Sequence, residues 1–175
     1  MSTPAVKLRP LEATDLGLLV TWRNDADNRG FFFSHAPLTH SGQSRWYESY
    51  LGKRDAILFV VCTAEGTPVG TVGLDNIDHK NQKAEFGRLL IGEPQFRQKG
   101  YGMIALRETL RYGFDELNLN RIYLQVFRDN SAAISLYKKV GFVDEGTLRS
   151  DHYSRGAWRD VLNMGLLRDE WEQTR

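Results

Sequence analysis

Cysteine is almost missing from this chain: Cys62 is the only one among 175 residues. An intramolecular disulfide is thereby excluded, and the cytoplasm is the expected compartment. Long apolar runs are missing too, so no membrane span is expected. Met1-Ser2-Thr3-Pro4 lacks the basic segment followed by an apolar one that marks a signal peptide. There is no excess of either charge, with 23 Lys and Arg against 22 Asp and Glu, a net charge of +1. Bulk electrostatics therefore give no reason to expect nucleic acid or a membrane surface as partner. The histidines, at positions 35, 40, 79 and 152, show no close ligand spacing with Cys or Asp/Glu, so no metal is expected. No repeat, linker or low-complexity tract divides the sequence, and its length suits one domain with a single well-buried core. Cys62 lies inside an apolar run and reads as a small core hydrophobe rather than a nucleophile.

What is present is a regular alternation of strand and helix patterns. Val6 to Leu8 reads as a short first strand. Thr14 or Asp15 can cap a helix ending near Asn24, and a second helix is expected from Ser41 to Leu51. Ile57 to Cys62 and Val69 to Leu74 form an antiparallel pair across the Glu65-to-Pro68 turn. Lys83 to Ile91 is a strand, Met103 to Leu117 an amphipathic helix, Arg121 to Phe127 a strand. Ser131 to Val140 is a helix with Gly141 at its C′ position. Phe142 to Leu148 and Ala157 to Leu167 close as a hairpin. The sum is an α+β domain with a mixed, largely antiparallel sheet and helices on both faces.

The order is organised around Arg97-Gln98-Lys99-Gly100-Tyr101-Gly102, between a strand and a helix. The first N–H groups of a helix lack intrahelical partners, and the helix dipole is positive there. Glycines let a ligand approach the backbone, so a pyrophosphate cradle is one reading and a turn with a solvated basic rim the other. A P-loop is excluded, because Lys99 precedes Gly100 instead of following it. Gly100, Gly102 and Ala105 fit a dinucleotide fingerprint, but the polar spacer Gly92 to Lys99 and the missing acidic residue after Phe127 argue against it. The hexapeptide also matches the Arg/Gln-x-x-Gly-x-Gly/Ala loop that binds acetyl-CoA. Downstream, Asn130-Ser131-Ala132-Ala133 and Tyr137-Lys138-Lys139-Val140-Gly141-Phe142 match Asn-x-x-Ala followed by Tyr-x-x-x-Gly-Phe. With both motifs in order, the chain resembles the GNAT superfamily of N-acetyltransferases from Leu8-Arg9-Pro10-Leu11 to Glu170-Trp171. It looks most like the branch of ribosomal-protein N-terminal, spermidine and nucleotide-amino-sugar acetyltransferases.

The resemblance implies the GNAT fold and direct transfer of acetyl from acetyl-CoA to a primary amine, with no covalent enzyme intermediate. It places the pyrophosphate on the backbone of Gln98 through Met103 (Gln98, Lys99, Gly100, Tyr101, Gly102, Met103), flanked by Arg97 and Lys99. The pantetheine arm would pair with Leu89, Leu90 and Ile91 as an added strand would. A backbone N–H at or next to Leu90 would serve the oxyanion. Asn130 matches a CoA-binding position and is equally suited to cap its helix. Tyr137, two turns after Asn130, is the implied general acid, and Glu85 the implied base acting through water. A core tyrosine and a solvated strand carboxylate are the bland readings of these two. A homodimer through the closing hairpin is also implied.

The acceptor site is expected to draw on Trp22, Arg23, Asn24, Arg29, Arg149, His152, Tyr153, Arg155 and Trp158. Phe31 to Phe33 are expected to fold back onto the core, with a wall of the acceptor pocket as the alternative. Arginine beside aromatic residues suits a phosphorylated ligand with a planar base, so a nucleotide-linked amino sugar is placed ahead. A polyamine would call on Asp25, Asp27, Asp151 and Asp160, and a protein N-terminus would need an open groove. An inactive CoA-binding module is the non-enzyme alternative, against which Tyr137 speaks.

Overall fold

The computed structural model describes residues 4–34 and 36–174. The N-terminal reading over Met1 to Thr3 and the metal reading at His35 lie outside the described residues. Seven strands form one sheet: β1 (Val6–Pro10), β2 (Ile57–Thr63), β3 (Pro68–Asp78), β4 (Lys83–Ile91), β5 (Arg121–Phe127), β6 (Val143–Ser154) and β7 (Ala157–Leu167). Their order is β1-β2-β3-β4-β5-β7-β6. Only the β4–β5 pair is parallel. The helices are α1 (Leu16–Asn24), α2 (Ala26–Arg29), α3 (His40–Leu51), α4 (Tyr101–Arg111), α5 (Ser131–Val140) and α6 (Arg168–Gln173).

The sheet has a core on each face, and β2 shows why. Its alternating residues Leu58, Val60 and Cys62 face Leu16, Leu19 and Trp22 of α1, with Trp46, Tyr47 and Tyr50 of α3 packed alongside. Val61 faces the other way, into a cluster with Leu106 and Leu110 of α4, Val140 of α5 and Trp171 of α6. A strand buried on both sides reads as a continuous apolar run, as Ile57 to Cys62 does.

Four elements depart from the sequence reading, one of them β3, which runs past Leu74 to Asp78. The helix expected over 103–117 is α-helical to Arg111 and then widens to a π-turn over Tyr112–Glu116. Strand β6 runs past Leu148 to Ser154, with register shifts on the way. The unexpected α2 is one turn long and is capped by the Asp25 carboxylate, which accepts from the N–H groups of Asp27 and Asn28.

Candidate active site

The parallel pairing that joins β4 to β5 covers only Lys83, Ala84 and Glu85 against Arg121, Ile122 and Tyr123. Beyond Glu85, β4 stays with β3 while β5 stays with β7. The sheet therefore opens like a V, and one edge of β4 has no strand partner. A bulge sharpens the split. Arg88 takes φ +58°, its carbonyl accepts from the Thr71 hydroxyl at 2.8 Å, and its guanidinium grips Asp75 at 2.6 and 2.9 Å. Leu90 is opposite Thr71, and the next pair is closed by the Gly92 N–H on the Val69 carbonyl. Leu90 accordingly turns its peptide groups toward β3. By alternation, Leu89 and Ile91 turn theirs into the opening. The Ile91 carbonyl is taken by Arg97 Nε at 3.1 Å, while Arg97 Nη2 donates to the Gly92 carbonyl at 3.0 Å. Arg97 thus clamps the strand end as well as carrying charge.

On one side of the opening lies a cleft of about 670 Å³. Its walls are Ile91, Gln98, Gly100, Gly102 and Met103 from β4 and the glycine loop, facing Ala133, Leu136 and Lys139 of α5. Gly100 has φ +91°, a conformation a side chain would strain, and it turns the chain into α4. The first N–H groups of α4 then point outward without intrahelical partners. A Cβ on Gly102 would meet nothing closer than Ile91 at 3.9 Å, so the space beside that backbone is open to a ligand. This is a donor set fitted to a pyrophosphate. Lys99 is exposed and Tyr101 packs on Phe96 at 5.2 Å; neither side chain lines the cleft.

On the other side lies a cavity of about 400 Å³, lined among others by Arg23, Phe32, Asp75, Glu85, Gln125, Asn130 and Tyr137. Leu136 and Ala133 line both spaces, which makes α5 the partition between them. Tyr137 packs edge-on to Phe86 at 6.0 Å and near Phe142 at 5.8 Å. Burial pushes its phenol up to about 12, so it keeps its proton throughout the neutral range. Glu85 accepts from Asn76 Nδ2 at 2.7 Å. Asn130 caps α5 through the Ala133 N–H at 3.2 Å and also lines the cavity.

Of the residues expected to hold the acceptor, Arg23 reaches the cavity. Trp22 does not join it. Its indole N–H donates to Glu93 at 2.9 Å, and its ring fills the place of a Cβ on Gly92, 2.1 Å away. Asn24 ties down the loop after α2, donating to the Leu38 carbonyl and accepting from the Leu38 N–H, both at 2.8 Å. Tyr153 stays exposed on the β6–β7 hairpin, 5.5 Å from Trp158. Phe31 to Phe33 do not simply fold onto the core: all three line the cavity, Phe33 while also packing on Phe127 at 4.7 Å. The four carboxylates expected to serve a polyamine do not gather. Asp25 caps α2, Asp27 lines the cleft, Asp151 pairs with His152, and Asp160 accepts from the Ser150 N–H. Asp75 and Glu85 stand there instead. Asp75, Arg88 and Lys139 were missed because strand and helix patterns do not show where a bulge or a helix end delivers a side chain. Among the described residues no group of three His, Cys, Asp or Glu could hold a metal, and no helix is long and apolar enough to cross a membrane.

Comparison with known proteins settles the family. Residues 5–143 match the model of the acetyltransferase (GNAT) domain. The chain belongs to the GNAT acetyltransferase family. It is therefore an N-acetyltransferase with the GNAT fold, and acetyl-CoA is its co-substrate. This GNAT protein is 32% identical to the spermidine N(1)-acetyltransferase of Escherichia coli (strain K12), over 97% of this chain and 90% of that one. It is 28% identical to the putative ribosomal N-acetyltransferase YdaF of Bacillus subtilis, over 94% and 91%. In structure it matches the spermidine N-acetyltransferase of Vibrio cholerae in complex with CoA and spermine, with a TM-score of 0.90, 29% identity, and 95% and 98% coverage.

Proposed function

We propose that this protein transfers acetyl from acetyl-CoA to a primary amine of a small molecule across the β4–β5 opening. The observation that carries the reading is Tyr137 on α5, which lines the cavity with Glu85 while Ala133 and Leu136 of the same helix also wall the glycine-loop cleft. Gln98 through Met103 hold the pyrophosphate by backbone N–H groups, and Leu89 and Ile91 offer theirs to the pantetheine amides. The Leu89 N–H, facing the opening, donates to the negative charge that develops on the thioester carbonyl oxygen. Glu85 takes a proton from the ammonium through water, since an amine with a pKa near 10 is protonated at neutral pH. Tyr137 gives its proton to the departing sulfur. Asn130 keeps α5 and its tyrosine in place.

For the acceptor class, the relatives' names support a polyamine ahead of the nucleotide-linked amino sugar favoured by the sequence. Glu85 supplies a carboxylate for an ammonium group, beside the Asp75–Arg88 ion pair. We further infer a single-domain cytoplasmic enzyme that assembles as a homodimer. The exposed outer strand β6 supports self-association, and a Vibrio cholerae relative is described as dodecameric. Release of CoA thiol from acetyl-CoA, measured with spermidine, a nucleotide-linked amino sugar, an aminoglycoside and short peptides, tests the function. Turnover of one class is the expected result. Tight acetyl-CoA binding with no turnover of any amine would refute the small-amine reading.

A further inference from the structure

A second space of about 420 Å³ adjoins the acceptor cavity and shares Arg23, Phe32 and Arg88 with it as walls. Its other walls include Leu38, Gln43 and Trp46, with no carboxylate among the described residues that line it. Arg23 is the unusual group here. Its guanidinium lies over the Phe32 ring at 3.8 Å, and its buried Nε has no hydrogen-bond partner. Burial, and then the charge of Arg88, pull its pKa down to about 10. A partly buried cation with an unmade hydrogen bond is costly unless something pairs with it. The neighbouring charges do not do so. Asp75 is committed to Arg88 in a two-point ion pair, which leaves Glu85 and Arg23, among the described residues of the two cavities, as the charges without an opposite partner.

We propose that Arg23 binds an anionic group, a carboxylate or phosphate, on the acceptor, so that the enzyme selects amines that carry a negative charge as well. The ammonium end lies toward Glu85 and Tyr137. The anionic end lies toward Arg23, with Phe32 and Trp46 flanking the segment beyond it. A polyamine would instead bring a second ammonium to a guanidinium in low-dielectric surroundings, where like charges repel strongly. The inference rests on the acetyltransferase reading but departs from the polyamine class that the relatives support.

The test pairs each amine with an analogue differing in charge: ω-amino acids of three to six carbons against diamines of equal length, and amino-sugar phosphates against the free amino sugars. The carboxylate and phosphate arms distinguish the two sources of the anion. The expected result is a preference of about 10- to 100-fold in kcat/KM for the anionic member, the range of one charge-assisted hydrogen bond. R23Q should abolish the preference through KM, with acetyl-CoA affinity unchanged. Q43E, which places a carboxylate in the same cavity without loss of volume, should weaken it and guards against a folding failure of R23Q. Equal or better turnover of the diamines, or a preference that survives R23Q, would overturn the proposal. If no amine turns over, calorimetric titration of the same probes into the CoA-bound protein decides separately. Binding of the anionic members, lost in R23Q, keeps the anion site and discards the amine-acceptor reading, whereas no binding discards the anion site.

Discussion

Replacing Tyr137 by phenylalanine removes one oxygen from a ring held between Phe86 and Phe142. The ring contacts at 6.0 and 5.8 Å involve carbon and survive the change, so unfolding free energy should move by no more than about 1 kcal/mol. Acetyl-CoA affinity should also hold, since the glycine loop and Asn130 are untouched. The loss falls on proton delivery to the sulfur, where a positioned acid contributes about 10²–10⁴-fold, or about 2.7–5.4 kcal/mol of barrier. The assay is steady-state CoA-thiol release with the best acceptor, beside a thermal melt and an acetyl-CoA titration. A general acid must be protonated to act, and burial pushes this phenol up to about 12. Wild-type kcat should therefore show no alkaline fall from Tyr137 below about pH 10. The same shift has a consequence for stability. A pKa raised on folding favours the protonated native state, so this contribution is complete below the unfolded value near 10. It is lost as pH rises toward 12, by on the order of 2 kcal/mol. Y137F should lack that alkaline loss. A kcat within threefold of wild type would refute the acid role and leave Tyr137 as a core tyrosine.

Three further outcomes are expected. E85Q should lower kcat by about 10²-fold with acetyl-CoA affinity unchanged, which a merely structural carboxylate would not do. N130A removes the cap of α5 and should cost about 1 kcal/mol in a denaturant melt, with a rise in KM for acetyl-CoA if the same side chain also touches the donor. Asp15 is buried and held by Arg9 through two hydrogen bonds of 2.7 Å, which lower its pKa against a smaller opposing effect of burial. Its contribution is present above the unfolded value near 3.9 and is lost as pH falls through the folded one, so D15N should cost about 1–3 kcal/mol at pH 7 and show a shallower acid denaturation.

The parts of the fold that sequence made legible are those where one physical signal dominates. Strands β4 and β5 begin and end where their patterns do, and α5 stops at Gly141, whose φ of +113° suits the residue without a side chain. The bulge at Arg88 was hidden, because a left-handed arginine carries no signature and the register shift leaves the local apolar pattern intact. The one-turn helix α2 is too short to show a period. On either side of Leu148, Gly146 and Ser150 at positive φ break the alternation that would have extended β6. The glycine loop and the Asn-to-Tyr motif were visible as short strings. The acceptor walls were legible at Arg23 and, as the alternative reading, at Phe31 to Phe33, but not at Asp75, Arg88 and Trp46, which come from three separate elements and meet the others only in three dimensions.

That difference follows from what each half of the site has to hold. The donor is one fixed molecule, and in the proposed binding mode it is met mainly by backbone: the turn at Gly100, the first N–H groups of α4, the outward peptides of Leu89 and Ile91. Backbone geometry is set by the fold, so it persists while most side chains change, consistent with a TM-score of 0.90 at 29% identity to a CoA-bound relative. The acceptor is met by side chains, and a few substitutions reset its charge. Here Asp75 and Arg88 cancel, which leaves Glu85 and Arg23 on the walls of one cavity, with Arg23 over the Phe32 ring. A dication satisfies one of these charges and opposes the other, whereas a zwitterion satisfies both. With the proposed anion site, acceptor choice in this chain turns on Arg23 rather than on the motifs that place it in its family.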